Sequence, residues 1–139
     1  MRIPPIKAVM TPFPHHVDAG EPMQRAADLL AEHGIRHLPV INGEKLVGVV
    51  GEREIELARR AGFTDRELTV RDLATHGACV VELDEPLDNV LLRMAEKRYD
   101  CALITRQGRL AGIFTTTDAC LRYAELLRSG RPRPGDDAA

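Results

Sequence analysis

Apolar and polar positions alternate along this chain in an order that is written twice. Ile6-Lys7-Ala8-Val9-Met10-Thr11 answers to Val70-Arg71-Asp72-Leu73-Ala74-Thr75, Glu21-Pro22 to Glu85-Pro86, and Gly48-Val49-Val50 to Gly112-Ile113-Phe114, each 64 positions on. Chance similarity drifts in spacing. A constant offset at three separated landmarks marks a tandem duplication, which decides architecture ahead of any single motif.

Each half predicts the same elements. A short extended lead-in carries a threonine (Val9–Pro12; Leu73–Thr75), and a brief strand follows (His16–Val17; Val80–Leu83). A turn then places Pro22 or Pro86 at the first helical position, where the missing N–H is harmless. Met23, Ala26, Ala27 and Leu30, and again Leu87, Val90, Leu91 and Met94, give each helix one apolar stripe. Gly34 stops the first helix. Next come two strands around a tight turn: Leu38–Ile41 and Leu46–Val50 around Asn42-Gly43, a dipeptide that tolerates positive φ. The second copy, Ala102–Thr105 and Leu110–Phe114 around Arg106-Gln107-Gly108, reads as one residue longer in the loop. A closing helix ends each unit, Glu52–Ala61 and Thr117–Leu127, the second with the better apolar face (Ala119, Tyr123, Leu126, Leu127).

The fold class is therefore α+β: a β-α-β-β-α unit repeated, with the first repeat at 1–62, the second at 63–128 and a Pro/Gly-rich, charged tail at 129–139 expected to be disordered. A unit of about 60 residues buries too little surface to be stable alone, so the repeats must dock. Aromatic residues are 4% of the chain and tryptophan is absent, which requires an aliphatic core.

Charge and motifs narrow the function. The net charge is −2 with both signs mixed, lacking the basic stripe of a nucleic-acid binder. Apolar runs such as Leu46–Val50 are too short to span a bilayer and Met1–Pro5 does not begin a signal peptide, so a cytoplasmic location is expected. Cys79, Cys101 and Cys120 form no CxxC pair and read as buried, reduced thiols. His15 and His16 point to opposite faces of an extended segment, and Gly34 and Pro39 interrupt any alignment of His33 with His37, so no metal site is expected. No G-x-S-x-G or Walker loop appears, and Asp100 beside Cys101 would raise that thiol's pKa; the chain does not read as an enzyme.

The informative segment is Gly112-Ile113-Phe114-Thr115-Thr116-Thr117-Asp118, at the end of a strand and the start of a helix. Free amides at a helix N-terminus suit a phosphate, and an Asp one turn in can accept from both hydroxyls of a ribose. The same T-x-x-D spacing also makes an N-cap with an acidic first turn, which stabilises a helix by about 1 kcal/mol and binds nothing.

The duplicated pattern, with Val9-Met10-Thr11-Pro12 in the lead-in and Gly34-Ile35-Arg36-His37-Leu38-Pro39-Val40 before the hairpin, resembles a CBS-domain pair (the cystathionine β-synthase domain, paired as a Bateman module). Gly112-x-x-Thr115-x-x-Asp118 is similar to that family's adenosine-nucleotide motif, and the resemblance covers about residues 6 to 127. It implies two repeats packed through their sheets with pseudo-two-fold symmetry, two clefts between them, and a homodimer formed through the helices. It implies an adenosine ligand of the AMP, ADP or ATP class, with S-adenosylmethionine or NADH as further members. Asp118 would hold the ribose, and Thr115 with the amides of Thr116 and Thr117 would hold phosphate. Thr11, Thr75, Ala102 and Ile104 would line the adenine slot, with Arg36 and His37 facing the phosphates and Arg53 or Arg98 as alternatives. Gly51 and Glu54 replace the Thr and Asp in the first half, so one competent cleft is expected. The implied role is regulatory, sensing a nucleotide and signalling to a protein partner in trans; the alternative is an interaction scaffold without a small ligand.

Overall fold

A computed structural model describes residues 2–76 and 78–130. The offset of the sequence carries into paired elements. Helix α1 (Met23–His33) is matched by α4 (Leu87–Lys97), strand β3 (His37–Asn42) by β6 (Cys101–Arg106), and β4 (Lys45–Gly51) by β7 (Arg109–Thr115). A 3-10 turn at Ile6–Ala8 is matched by α3 (Val70–Leu73), β2 (Val17–Asp18) by β5 (Cys79–Glu82), and α2 (Glu52–Arg60) by α5 (Thr116–Ser129). Strand β1 (Thr11–Pro12) completes the set.

The strands run in the order β2-β3-β4-β7-β6-β5, a palindrome under the duplication. At the centre of the sheet the halves meet in one β4–β7 pair, Lys45 with Arg109. Their inner faces pack on each other through Val49, Cys101 and Leu103, with Leu46 and Ile113 alongside. The outer faces carry the helices over two separate cores. Leu38, Val40 and Val50 meet Met23, Ala26 and Leu30 in the first, and Ala102, Ile104 and Phe114 meet Val90 and Met94 in the second.

Each lead-in crosses to the other repeat. Ile6 is fully buried in the second core, where its amide donates to the Glu85 carbonyl at 2.8 Å. Val70 is fully buried in the first core, and its amide donates to the Glu21 carbonyl at 2.8 Å. Beyond them β1 pairs antiparallel with β7 (Thr11 opposite Ile113), while Thr75 pairs with Val49 on β4. Here the recurring glycines find their reason. A Cβ at Gly48 would run into the Thr75 carbonyl oxygen, and one at Gly112 into the Met10 side chain.

Several local expectations shift. Pro22 and Pro86 are N-caps rather than first helical residues. Gly34 caps α1 in the left-handed conformation, φ 61°, and Arg98 takes the matching place after α4 at φ 56°. The two hairpin turns are equally long, since Asn42 pairs with Lys45 and Arg106 with Arg109. The second turn has Gln107 and Gly108 at positive φ; the first has Gly43 there, with Asn42 already in the strand. Cys120 lies exposed on α5, unlike the buried Cys79 and Cys101. Helix α5 continues through Ser129, the first residue expected in the tail; 131–139 lie outside the described residues. Among the described residues no helix is long and apolar enough to cross a membrane.

Candidate functional site

Strands β4 and β7 deliver their chain ends, Gly51 and Thr115, directly into the starts of α2 and α5. Both helix starts open on one cleft of about 820 Å³ between the repeats. Thr11 from β1, Arg36 just before β3 and His37 at its start, and Thr115, Thr116, Thr117 and Asp118 line it together with Gly51–Glu54 and Asp100. The Thr115 and Gly51 motifs, expected to serve separate clefts, both line it.

Three expected residues lie elsewhere. Ala102 and Ile104 are fully buried in the second core on the helix side of β6. Side chains alternate along a strand, so the inter-sheet face of β6 belongs to Cys101 and Leu103, and on β7 it is Ile113 that reaches the cleft. Thr75 sits against β4, where its amide donates to the Val49 carbonyl at 2.9 Å. Of the alternative cations, Arg53 lines the cleft, whereas Arg98 occupies the α4 cap.

At the head of α5 the T-x-x-D motif closes on itself. The Thr115 amide donates to Asp118 Oδ2 at 2.9 Å and the Asp118 amide donates to Thr115 Oγ1 at 3.1 Å, a reciprocal capping box. The Thr116 amide donates to the Asp100 carbonyl at 2.9 Å. Of the α5 amides expected to cradle phosphate, Thr117 alone lacks a partner among the described residues. The box fixes the Asp118 carboxylate and leaves Oδ1 without a partner among the described residues, so a hydrogen-bond acceptor lines the cleft with its orientation set. At the head of α2, Glu54 Oε1 accepts from the Gly51 amide at 2.9 Å, which makes half of the same box. A side chain at Gly51 would sit 2.8 Å from the Arg36 carbonyl oxygen, so the approach of β3 excludes threonine there. Glu54 therefore folds back on its own helix.

Charge in the cleft is mixed. His37 Nε2 lies 3.7 Å from Asp100 Oδ2, an ion pair between the repeats when the imidazole is protonated. Asp100 stands 64 positions after Arg36, so the duplication sets a carboxylate across from a guanidinium. Behind the cleft, burial and then the neighbouring Asp100 carboxylate push the Cys101 thiol up from 9.0 to about 12, which makes it a poor nucleophile at neutral pH. The His15 ring stacks on His33 with centroids 3.6 Å apart, an arrangement in which the two rings do not converge on a common ion. That both motifs share this lining depends on where the lead-ins cross, which spacing does not give, whereas the offset that pairs Arg36 with Asp100 is legible in the sequence.

The CBS domain matches this chain twice, over residues 6–59 and 70–125. Inosine-5′-monophosphate dehydrogenase of Korarchaeum cryptofilum is 28% identical over 123 residues, which span 86% of this chain and 25% of the dehydrogenase. Among solved structures, the CBS-domain pair of protein MJ0100 in complex with 5′-methylthioadenosine and S-adenosyl-L-methionine superposes with a TM-score of 0.80 at 24% identity, covering 90% of this chain and 99% of that one. CBSX2 in complex with AMP superposes at 0.76 with 26% identity, covering 90% and 98%. With the domain matched over most of its length and the repeats packed sheet to sheet, this chain belongs to the CBS-domain family and carries the domain in tandem.

Proposed function

We propose that the chain is a regulatory module that binds an adenosine derivative in the cleft between its two repeats and passes the state of that cleft to a protein partner in trans. The observation that carries this reading is the convergence of Thr11, Arg36, His37, Thr115, Thr116, Thr117 and Asp118 on one cleft, although they come from separate elements of both repeats. Asp118, held by its capping box with one oxygen to spare, accepts from the ribose. A structural relative that binds AMP, at 26% identity, supports the adenosine class. Regulation rather than catalysis suits a cleft whose nearest thiol is buried and hard to ionise. A cytoplasmic homodimer completes the reading, its contact formed by the exposed apolar side chains of α4 and α5.

Thermal unfolding of nucleotide-free protein with AMP, ADP, ATP, S-adenosylmethionine and NADH in parallel tests it. A ligand at 100 times its Kd adds about 2.7 kcal/mol, a rise of roughly 8 °C for a chain of this size. The rise should vanish in Asp118→Ala. No rise with any of them favours the second reading, an interaction scaffold, which the self-satisfied Thr115–Asp118 box specifically supports.

A further inference from the structure

Building on that adenosine reading, we infer that the cleft selects an adenosine whose 5′ substituent is cationic, an adenosyl sulfonium, over one extended by a phosphate chain. Anion binding at a helix N-terminus depends on outward, unpaired amides and an uncompensated dipole. Both helix starts here carry the chain's own carboxylates in the first turn, set against the dipole. On α5 the Thr116 amide is taken by the Asp100 carbonyl and the Asp118 amide by Thr115 Oγ1, with the Asp118 carboxylate in the first turn. On α2 Glu54 accepts from the Gly51 amide, and Glu52 and Glu54 both stand in the first turn.

The side chains point the same way. Glu52, Glu54, Asp100 and Asp118 line the cleft against the two guanidinium groups of Arg36 and Arg53. His37, protonated, faces Asp100 at 3.7 Å, so that carboxylate draws its charge away from an incoming anion. The position that repeats Arg36 is Asp100, whose carbonyl accepts from the Thr116 amide at the head of α5 and which lines the same cleft as Asp118. A triphosphate would bring further negative charge into this lining, whereas a sulfonium is attracted by it.

S-adenosylmethionine and S-adenosylhomocysteine share the adenosine and the amino-acid end and differ in the charge on sulfur, so they isolate the effect. Titration calorimetry of the intact chain with both, and with ATP and adenosine, is the test. We expect S-adenosylmethionine to bind at least about tenfold more tightly than S-adenosylhomocysteine and ATP, a difference of about 1.4 kcal/mol. Asp100→Asn, a substitution at a side chain that is 73% exposed, should keep the fold, weaken S-adenosylmethionine by about tenfold, leave S-adenosylhomocysteine within about twofold and tighten ATP. Equal affinity for the sulfonium and the thioether, tighter binding of ATP in the unaltered chain, or an unchanged order in Asp100→Asn would overturn the charge selection while leaving the adenosine cleft standing. Binding of none of the four, adenosine included, would overturn the adenosine reading and this inference together.

Discussion

Ile6 belongs to the first repeat by sequence and to the second by contact: its amide donates to the Glu85 carbonyl at 2.8 Å and its side chain is fully buried beside Val81, Val90 and Phe114. Truncating it opens a cavity in a core it does not adjoin in sequence. Ile6→Ala should cost about 2–4 kcal/mol. Hydrogen exchange should locate the loss, with amides of α4 and β6 exchanging faster than their counterparts in α1 and β3. Equal loosening of both halves would contradict the exchange.

Gly48 and Gly112 occupy equivalent places, yet they should respond differently to a methyl group. At Gly48 the obstacle is the Thr75 carbonyl, whose backbone is held to Val49 from both sides. At Gly112 the nearest atoms belong to the Met10 side chain, which can swing aside, and the Thr11 carbonyl oxygen stands farther off at 3.0 Å. Gly48→Ala should therefore cost about 1–3 kcal/mol, as overpacking does, and Gly112→Ala less. Denaturant midpoints measured side by side check the order.

These two cases show what the sequence makes legible. Ile6 and Val70, and Gly48 and Gly112, were visible as pairs because duplication preserves spacing, and every element boundary of α1, β3 and β4 recurs in α4, β6 and β7. Which core Ile6 enters was not visible, since an apolar residue is equally well buried in either of two similar cores. The adenine slot went astray for a related reason. Cys101, Ala102, Leu103, Ile104 and Thr105 are all buried, because β6 is covered on both faces, and continuous burial removes the alternation from which a strand's orientation is read. The T-x-x-D spacing was read as cap or ligand site; its geometry is a cap that leaves one carboxylate oxygen available.

Cys101 predicts an alkaline limb of stability. Burial, and then Asp100, raise its thiol from 9.0 to about 12 in the folded chain. Below about pH 9 both folded and unfolded states hold the proton and the shift has no effect on the balance. Between 9 and 12 the unfolded state releases its proton while the folded state keeps it, so stability falls as pH rises. Chemical denaturation at a series of pH values should show this slope, and Cys101→Ala should flatten it. Cys120, exposed on α5, should be the one thiol that labels rapidly at pH 8.

Helix α5 has no buried residue, and Leu121, Tyr123, Leu126 and Leu127 are 45–63% exposed. Between α4 and α5 runs a groove of about 530 Å³ lined by Leu87, Leu91, Tyr123 and Leu126. If the proposed homodimer closes over this face, Leu126→Glu should halve the mass seen by sedimentation while leaving the helical circular dichroism unchanged. An unaltered mass would place the contact elsewhere.

The crossing of the lead-ins constrains how such a chain can be divided. One repeat expressed alone would carry its Ile6 or Val70 with nowhere to insert, and its core would lack a wall. Two separate copies could complete each other only by meeting at sufficient concentration. Joining them through Ala61–Asp65 makes that encounter internal, with an effective concentration fixed by a short tether and independent of dilution. The two halves are thus each other's cofactor for folding, and the cleft that lies between them exists only where both are present.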